Sequence, residues 1–332
     1  MNAAEIADSL ENAEKALFGS NVYAVTDSNV ADLYPSLFSG ARKTIIGAGE
    51  KYKTLSTVGG IISDMVEAGC DRQTTVVAVG GGVTGDVAGF AAACFMRGVK
   101  WINVPTTLLA MVDSGIGGKT GVDVGGYKNV AGAFHMPERV VVCRDFLRTL
   151  PEREWLCGCG EMIKHALLDK AIYGETVKDI SGLVGRRRST DKLIEMNVRY
   201  KESIVAADFK ESGLRKRLNA GHTVGHAVER LDGFRLSHGE YVALGLRAEA
   251  GMFADELDGD YYKTVCELCA AVCRHRFPPV KADEITETAR ADKKNAHGNI
   301  VVMLPTGGGN VREISLSPEE FERRLDRCLS AL

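Results

Sequence analysis

Three of the seven histidines in this 332-residue chain, His222, His226 and His238, fall within seventeen positions, and each adjoins a glycine. A single histidine is usually a satisfied polar residue. Imidazoles gathered in this way, with the carboxylate of Glu161 available as well, make a donor set for a divalent metal. His222 and His226 are four residues apart, so on a helix both rings lie on one face. A carboxylate with two histidines leaves positions open for water or substrate. Spacing does not decide which two of the three would bind.

A second constellation is Gly80-Gly81-Gly82-Val83-Thr84-Gly85-Asp86, which follows the β-branched run Thr74–Val79 and opens a helical stretch. Glycines at such a turn let backbone N–H groups approach a pyrophosphate at a helix N-terminus, where the helix dipole favours an anion. A tight turn needs glycine without any ligand, and the acidic residue that usually completes a dinucleotide fingerprint is not evident. A third constellation runs from Val104-Pro105-Thr106-Thr107 through Asp113-Ser114 and Gly117-Gly118-Lys119-Thr120 to Lys128-Asn129. Hydroxyls just past a strand end, two lysines and glycine-rich loops suit phosphate and hydroxyl groups in an α/β cleft.

The elements that must hold these residues follow from periodicity. Val22–Val25, Lys43–Ile46, Thr74–Val79, Trp101–Val104 and Arg139–Val142 are expected strands, with helices over Leu55–Gly69 and Thr84–Met96 between them. That alternation predicts a parallel, helix-covered sheet. After Pro151 the pattern turns helical: Gly160–Lys170, Ile172–Asp179, Asp191–Ala206, Thr223–Leu231, Tyr241–Leu257 and Tyr261–Cys273. A boundary is therefore expected near residue 150, between an α/β domain (1–150) and a mainly helical domain (151–332). Ile300–Leu304 is a late strand candidate, followed by a turn over Pro305–Asn310. Ser317-Pro-Glu-Glu reads as the N-cap, Pro at N1 and acidic first turn of a terminal helix.

A chain with 45% hydrophobic and 26% charged residues is ordinary globular composition. Net charge is −3 with Lys and Arg spread along the chain, so no field favours nucleic acid or an anionic membrane. An anionic substrate must be met by locally placed cations. The longest apolar stretches are too short to span a bilayer, and the N-terminus carries acidic residues and no signal-peptide apolar region, so a cytoplasmic protein is expected. The nine cysteines are then reduced thiols. Cys266, Cys269 and Cys273, at i, i+3 and i+7, read as a buried helix face with no fourth cysteine at ligand spacing. Cys157 and Cys159 read as packing residues of a turn beside Glu161.

The glycine loop Gly80–Asp86, Phe95-Met96-Arg97-Gly98-Val99, Val104–Ala110, Gly117-Gly118-Lys119-Thr120 and Leu218-Asn219-Ala220-Gly221-His222-Thr223-Val224-Gly225-His226-Ala227 resemble the motifs of the dehydroquinate synthases, in family order from residue 22 to about 310. The resemblance implies an N-terminal Rossmann-like parallel-sheet domain and a C-terminal, mainly α-helical metal-binding domain. It implies conversion of 3-deoxy-D-arabino-heptulosonate 7-phosphate to 3-dehydroquinate and phosphate, in the shikimate pathway of aromatic amino acid biosynthesis. NAD is consumed and regenerated within each turnover, and zinc, with cobalt as a substitute, is the metal. By the same match Glu161, His222 and His238 hold the metal while His226 faces the substrate. Asp27, Glu50, Lys53, Gly81, Gly82, Val83, Asp86, Thr106, Thr107, Phe146 and Thr149, with Lys119 and Lys128, would bind NAD.

Substrate contacts implied by the resemblance are Asp113, Lys119, Lys128, Asn129, Lys164, Lys201, Arg215, Asn219 and His226, with Lys293 or Lys294 near the phosphate. Arg97 would reach into the site of a neighbouring subunit, which implies a homodimer. Two positions depart from the family pattern: Ala220 stands where an aromatic is usual, and Tyr241 replaces a small residue. Both read as changes of packing. Three other readings meet specific residues. A cyclase making a valiolone or deoxy-inosose skeleton is disfavoured by Arg215, Asn219 and Asp292-Lys293-Lys294. A metal-dependent polyol dehydrogenase would release NADH. A binding module without activity would tolerate loss of a ligand or of the cationic cluster, and every one of those positions is filled.

Overall fold

The structure, a computed structural model, describes residues 4–7, 9–17, 21–187, 190–291 and 298–330. The chain forms two compact units, Met1–Pro151 with Lys201–Lys210, and Glu152–Tyr200 with Glu211–Leu332.

The first unit contains strands β1 (Glu5–Ala7), β2 (Val22–Asp27), β3 (Lys43–Ile46), β4 (Thr75–Gly80), β5 (Trp101–Pro105), β6 (Lys119–Val124), β7 (Tyr127–Phe134) and β8 (Arg139–Cys143), and helices α1 (Leu10–Leu17), α2 (Ser28–Leu33), α3 (Leu55–Glu67) and α4 (Gly82–Cys94). Six strands form one sheet in the order β1-β8-β5-β4-β2-β3, with every pair parallel. The expected parallel sheet is therefore present. Val76, Val77, Ala78 and Val79 of β4 are fully buried, as an apolar run must be when both faces of a sheet are covered. Each buried valine contributes roughly 1.5–3 kcal/mol. Ile61 and Met65 of α3 and Val87, Ala88 and Ala91 of α4 pack with alternate residues of β2 and β4. The strand order reverses between β2 and β4, which places the switch-point crevice at their carboxyl ends, beside Asp27 and Gly80.

Strands β6 and β7 form an antiparallel hairpin where the sequence reads as glycine-rich loop. Gly125 and Gly126, with φ of 60° and 80°, make a two-residue turn whose two positive φ angles match the twist of a hairpin. Most of β7 is exposed, so it lacks the buried alternation that marks a strand in sequence. Residues Ala110–Ser114 form a π-helical turn in which Gly115 N donates to Ala110 O at 2.9 Å. A Cβ at position 115 would lie 2.5 Å from that oxygen. Gly115→Ala is therefore expected to destabilise the protein by about 1–3 kcal/mol, read as a lower midpoint in thermal unfolding; an unchanged midpoint would mean that the turn relaxes freely.

The second unit holds α5 (Glu152–Leu168), α6 (Lys170–Lys178), α7 (Ile180–Val184), α8 (Thr190–Ala207), α9 (His222–Leu231), α10 (His238–Gly251), α11 (Gly259–Val272), α12 (Ala282–Arg290) and α13 (Pro318–Leu329), with α8 passing into the first unit at Lys201. Strands β9 (Ile300–Gly307) and β10 (Asn310–Leu316) pair antiparallel. The helical periodicities are borne out with shifted ends. Helix α5 begins at Glu152, so Cys157 and Cys159 lie buried within a helix and not in a turn. Glycines 158 and 160 conceal its period. Helix α10 begins at His238 because Ser237 and Glu240 form a capping box. Helix α4 stops at Cys94, since Met96 and Arg97 take φ of 47° and 71°. Ser317 caps α13 through Glu320 N, as its motif predicts. All nine cysteines are free thiols, Cys269 and Cys273 buried and Cys266 half-buried. Among the described residues no helix is long and apolar enough to cross a membrane.

Candidate active site

In the second unit, α5, α9 and α10 cross with their backbones in contact, and glycines make this possible. A Cβ added at Gly239 would lie 1.9 Å from Cys157 O, and one at Gly160 would lie 2.2 Å from Gly239 O. The α9–α10 crossing is the same: Gly245 meets Gly221 O at 1.9 Å and Gly225 meets Tyr241 O at 2.8 Å. Each candidate ligand adjoins one of these contacts, Glu161 after Gly160, His222 after Gly221, His226 after Gly225 and His238 before Gly239. Close helix approach at the glycines is thus what brings the four side chains together.

The Nε2 atoms of His222 and His238 lie 3.4 and 3.2 Å from the same oxygen, Oε1 of Glu161. Ligands about 2.0–2.1 Å from a tetrahedral metal stand about 3.3–3.4 Å apart, so these separations fit one shared cation. The ring protons agree. His222 Nδ1 lies 3.0 Å from Ala220 O, and a carbonyl only accepts, so Nδ1 carries the proton and Nε2 carries a lone pair. His238 Nδ1 faces Glu229 Oε2 at 3.4 Å. A lone pair aimed at a carboxylate oxygen calls for a cation between them. His226 completes a cluster of three imidazoles, with ring centres 4.8 Å from His222 and 5.6 Å from His238.

Electrostatics point the same way. Burial opposes ionisation of Glu161, yet Lys164 and His222 hold its carboxyl well below the usual range. Burial likewise opposes a charge on His238, but Glu161 and Glu229 push it up to about 9, so the surrounding carboxylates favour positive charge at this position. His222 is pushed down, chiefly by burial. Lys164, one turn after Glu161 and 1% exposed, pairs with the other carboxylate oxygen. Arg215 is buried and Asn219 donates to Glu211 Oε1 at 2.9 Å, both on the short helix Leu214–Asn219. Lys293 and Lys294 lie outside the described residues.

Two positioning groups are invisible to local sequence rules. Gly221 offers no side chain to cap α9; Glu249, buried on α10, does so instead by accepting from Gly221 N, Thr223 N and Val224 N at 2.7, 2.9 and 3.0 Å. Glu229 is the partner of His238. The available signal was an acid set in the apolar face of a helix, since an acid is rarely buried unless paired.

In the first unit, the N-cap residue of α4 is Gly81, which has no side chain to bond the first-turn N–H groups, and this suits an anionic ligand there. A Cβ at Gly81 would stand 3.1 Å from Thr107 Cγ2, and one at Gly82 would stand 3.0 Å from Ser114 Oγ, so side chains there would fill the approach. Gly81, Gly82, Asp86, Ser114 and Lys119 line one pocket. Thr106 N donates to Gly80 O, and Thr107 Oγ1 accepts from Ala110 N. Val83 is half-buried. Asp27 caps α2 through Asn29 N and Val30 N and accepts from Thr84 Oγ1 at 2.9 Å, tying the switch point together. Lys53, 5% exposed, pairs with Asp86 at 2.6 Å, and Lys128 stands 3.9 Å from Glu50. Burial pushes Asp86 up to about 6 while Lys53 opposes it.

Asn129 takes φ of 53° and donates its N–H to Asp123 at 2.7 Å. Asp113 is ion-paired with Lys201. The side chains of Phe146 and Thr149 are committed to Tyr34, by an edge-to-face contact at 5.1 Å and a hydrogen bond at 2.7 Å. Arg97 is exposed at the left-handed turn after α4.

Comparison with known proteins places this geometry. Residues 43–157 match the family model described as 3-dehydroquinate synthase N-terminal, and residues 158–295 match 3-dehydroquinate synthase C-terminal. A 3-dehydroquinate synthase of Alkaliphilus metalliredigens is 38% identical over 312 residues, covering 90% of this chain and 88% of that protein. A solved 2-deoxy-scyllo-inosose synthase, complexed with carbaglucose-6-phosphate, NAD+ and Co2+, superposes with a TM-score of 0.83 at 26% identity, over 97% of this chain and 96% of that one. The 2-epi-5-epi-valiolone synthase of Streptomyces hygroscopicus subsp. jinggangensis, with NAD+ and Zn2+ bound, has the same fold, with a TM-score of 0.89 at 24% identity over 100% and 98% of the two chains.

Proposed function

This chain belongs to the 3-dehydroquinate synthase family, and from that premise we propose that it converts 3-deoxy-D-arabino-heptulosonate 7-phosphate to 3-dehydroquinate and phosphate as a carbon–oxygen lyase dependent on NAD and a divalent metal. The observation that carries the metal assignment is the convergence of His222 and His238 Nε2 on Glu161 Oε1 at tetrahedral edge lengths. Glu161, His222 and His238 would hold zinc, or cobalt in its place. Residues 1–150 serve NAD and residues 151–332 serve metal and substrate.

When bound, the metal supplies Lewis-acid polarisation of substrate hydroxyls and NAD supplies a hydride acceptor that is restored in the same turnover. The chain's own residues do the rest. The N-terminus of α4, bare of side chains at Gly81 and Gly82, receives the pyrophosphate. Thr106 and Thr107 stand at the end of β5 beside it, and the buried Lys53–Asp86 pair keeps the α4 end of that pocket in place. Asp27 acts there through its hold on Thr84, and Glu50 through Lys128. Phe146 and Thr149 would meet the cofactor at the edge of the same strand ends.

In the first unit Lys119, Lys128 and Asn129 offer hydrogen bonds to anionic groups, and in the second, taken by itself, Lys164, Arg215 and Asn219 offer the same. Lys201 is held by Asp113 for the same work. Cations of this number suit elimination, since the leaving phosphate gains charge as it departs. His226, one turn beyond His222 on the same helix face, is placed to orient a substrate hydroxyl and to hold or pass its proton. Arg97, projected from a strained turn, fits a residue offered to the partner of a homodimer. The cytoplasm is the expected compartment.

The test is phosphate release from 3-deoxy-D-arabino-heptulosonate 7-phosphate by metal-loaded protein with catalytic NAD. One phosphate per substrate, without accumulation of NADH, is expected. Net NADH would mean a dehydrogenase. No phosphate from folded, metal-loaded protein would overturn this reading in favour of a related cyclase acting on a different sugar phosphate.

A further inference from the structure

Tyr241 lies on α10, three residues after His238, and is fully buried. Its hydroxyl donates to Asp232 Oδ2 at 2.6 Å and accepts from Leu236 N at 3.1 Å. Asp232 ends α9, and its other carboxylate oxygen accepts from Arg235 Nε at 2.9 Å. These bonds lace residues 232–237, which form the whole connection between α9 and α10. That connection is strained: Gly233 and Phe234 take φ of 67° and 60°, and Phe234 is a bulky residue in the left-handed region. What it connects are two parts of the metal centre. Glu229 sits in the last turn of α9, and His238 is the first residue of α10.

We propose that Tyr241 is a positioning residue of the metal centre, its hydroxyl holding the strained loop so that His238 faces Glu229 with Nδ1 and Glu161 with Nε2. The proposal rests on the reading of Glu161, His222 and His238 as metal ligands. The His238–Glu229 contact of 3.4 Å is at the long end of hydrogen bonding, so a small displacement of the first turn of α10 loses it. Phenylalanine at 241 would keep the ring and its packing but leave Asp232 Oδ2 and Leu236 N without this partner. The strained loop would then have reason to relax, carrying His238 with it.

The experiment measures the zinc dissociation constant of the full-length protein by competition with a chromophoric chelator, and the visible absorption of the cobalt-substituted protein. Tyr241→Phe is expected to weaken zinc binding about 10–100-fold, the range for groups that orient a ligand, and to change the cobalt spectrum. Asp232→Asn, which alters the other end of the bond, should weaken binding similarly. The double variant should be little worse than either alone, since both act through one interaction. Unchanged zinc affinity and cobalt spectrum in a Tyr241→Phe protein that merely melts earlier would overturn the proposal, as would fully additive effects. If Tyr241→Phe does not fold, Asp232→Asn carries the test. Failure of both to fold counts against it, because the bond then serves the whole unit and not the ligand. Wild-type protein that binds no zinc overturns the metal reading itself, an outcome distinct from tight wild-type binding with an indifferent variant.

Discussion

His238→Ala is expected to purify without metal, whereas His226→Ala keeps its metal and loses turnover. The three imidazoles lie so close together, with ligand atoms within 4.8 Å of one another, that proximity alone would permit all three as ligands. Two observations favour His222 and His238 as ligands. Glu161 is completely buried, and His222 and His238 both aim Nε2 at its Oε1. His222 and His238 also have oxygen partners at Nδ1, from Ala220 and Glu229, as orienting groups for ligands. Loss of an orienting group alone costs about 10–100-fold in metal affinity, so removal of His238 itself should cost more than about 100-fold. Removal of a group that handles a substrate proton costs about 100–10,000-fold in turnover. Metal analysis of the two purified variants decides the matter, and equal metal loss would sink this division of roles.

Gly239→Ala, like Gly245→Ala, is expected to be among the most damaging single methyl groups in the second unit. Its Cβ would stand 1.9 Å from Cys157 O, and the obstacle is backbone that has no rotamer to change. Overpacking typically costs about 1–3 kcal/mol, and a clash with a helix backbone belongs at or above the top of that range. Because Glu161 and His238 flank this crossing, separation of α5 from α10 should abolish metal binding along with the stability. Thermal unfolding with and without zinc reads both effects. Gly174→Ala is the control, since nothing lies within 4 Å of that position, and it should be neutral or slightly stabilising. A Gly239→Ala protein with wild-type midpoint and metal content would show that the helices can part without moving the ligands.

Legibility in sequence followed the range of the interactions. The Thr75–Gly80 strand was plain, because burial on both faces demands an uninterrupted apolar run. The α4 N-terminus and the histidine cluster were plain for the same local reason, since glycine adjacency and i, i+4 spacing leave marks within a few residues. The β6–β7 hairpin was missed because its strands are largely exposed and its signal is only a Gly-Gly turn. Glu249 was missed because it caps a helix 25 or more residues upstream. Spacing alone pairs His222 with His226; His238 is set beside His222 only by the geometry around Glu161 Oε1 or by a family resemblance. Tyr241 looked like a packing change, and only its bonds to Asp232 and Leu236 show a polar task.

The first unit is assembled from two separate pieces of chain, and this bears on the order of events during synthesis. Lys201 pairs with Asp113, Glu202 accepts from Ala4 N, and Phe209 packs edge-to-face on Phe134 at 5.4 Å. All three come from Lys201–Lys210, which the ribosome makes roughly sixty residues after Pro151. At about 5–20 residues per second, the nascent sheet waits several seconds for its last piece, while the helices that will carry the histidines have not yet been translated. A chaperone that shields exposed apolar surface would find its longest opportunity in that interval, and a fragment ending at residue 151 would prolong the interval indefinitely.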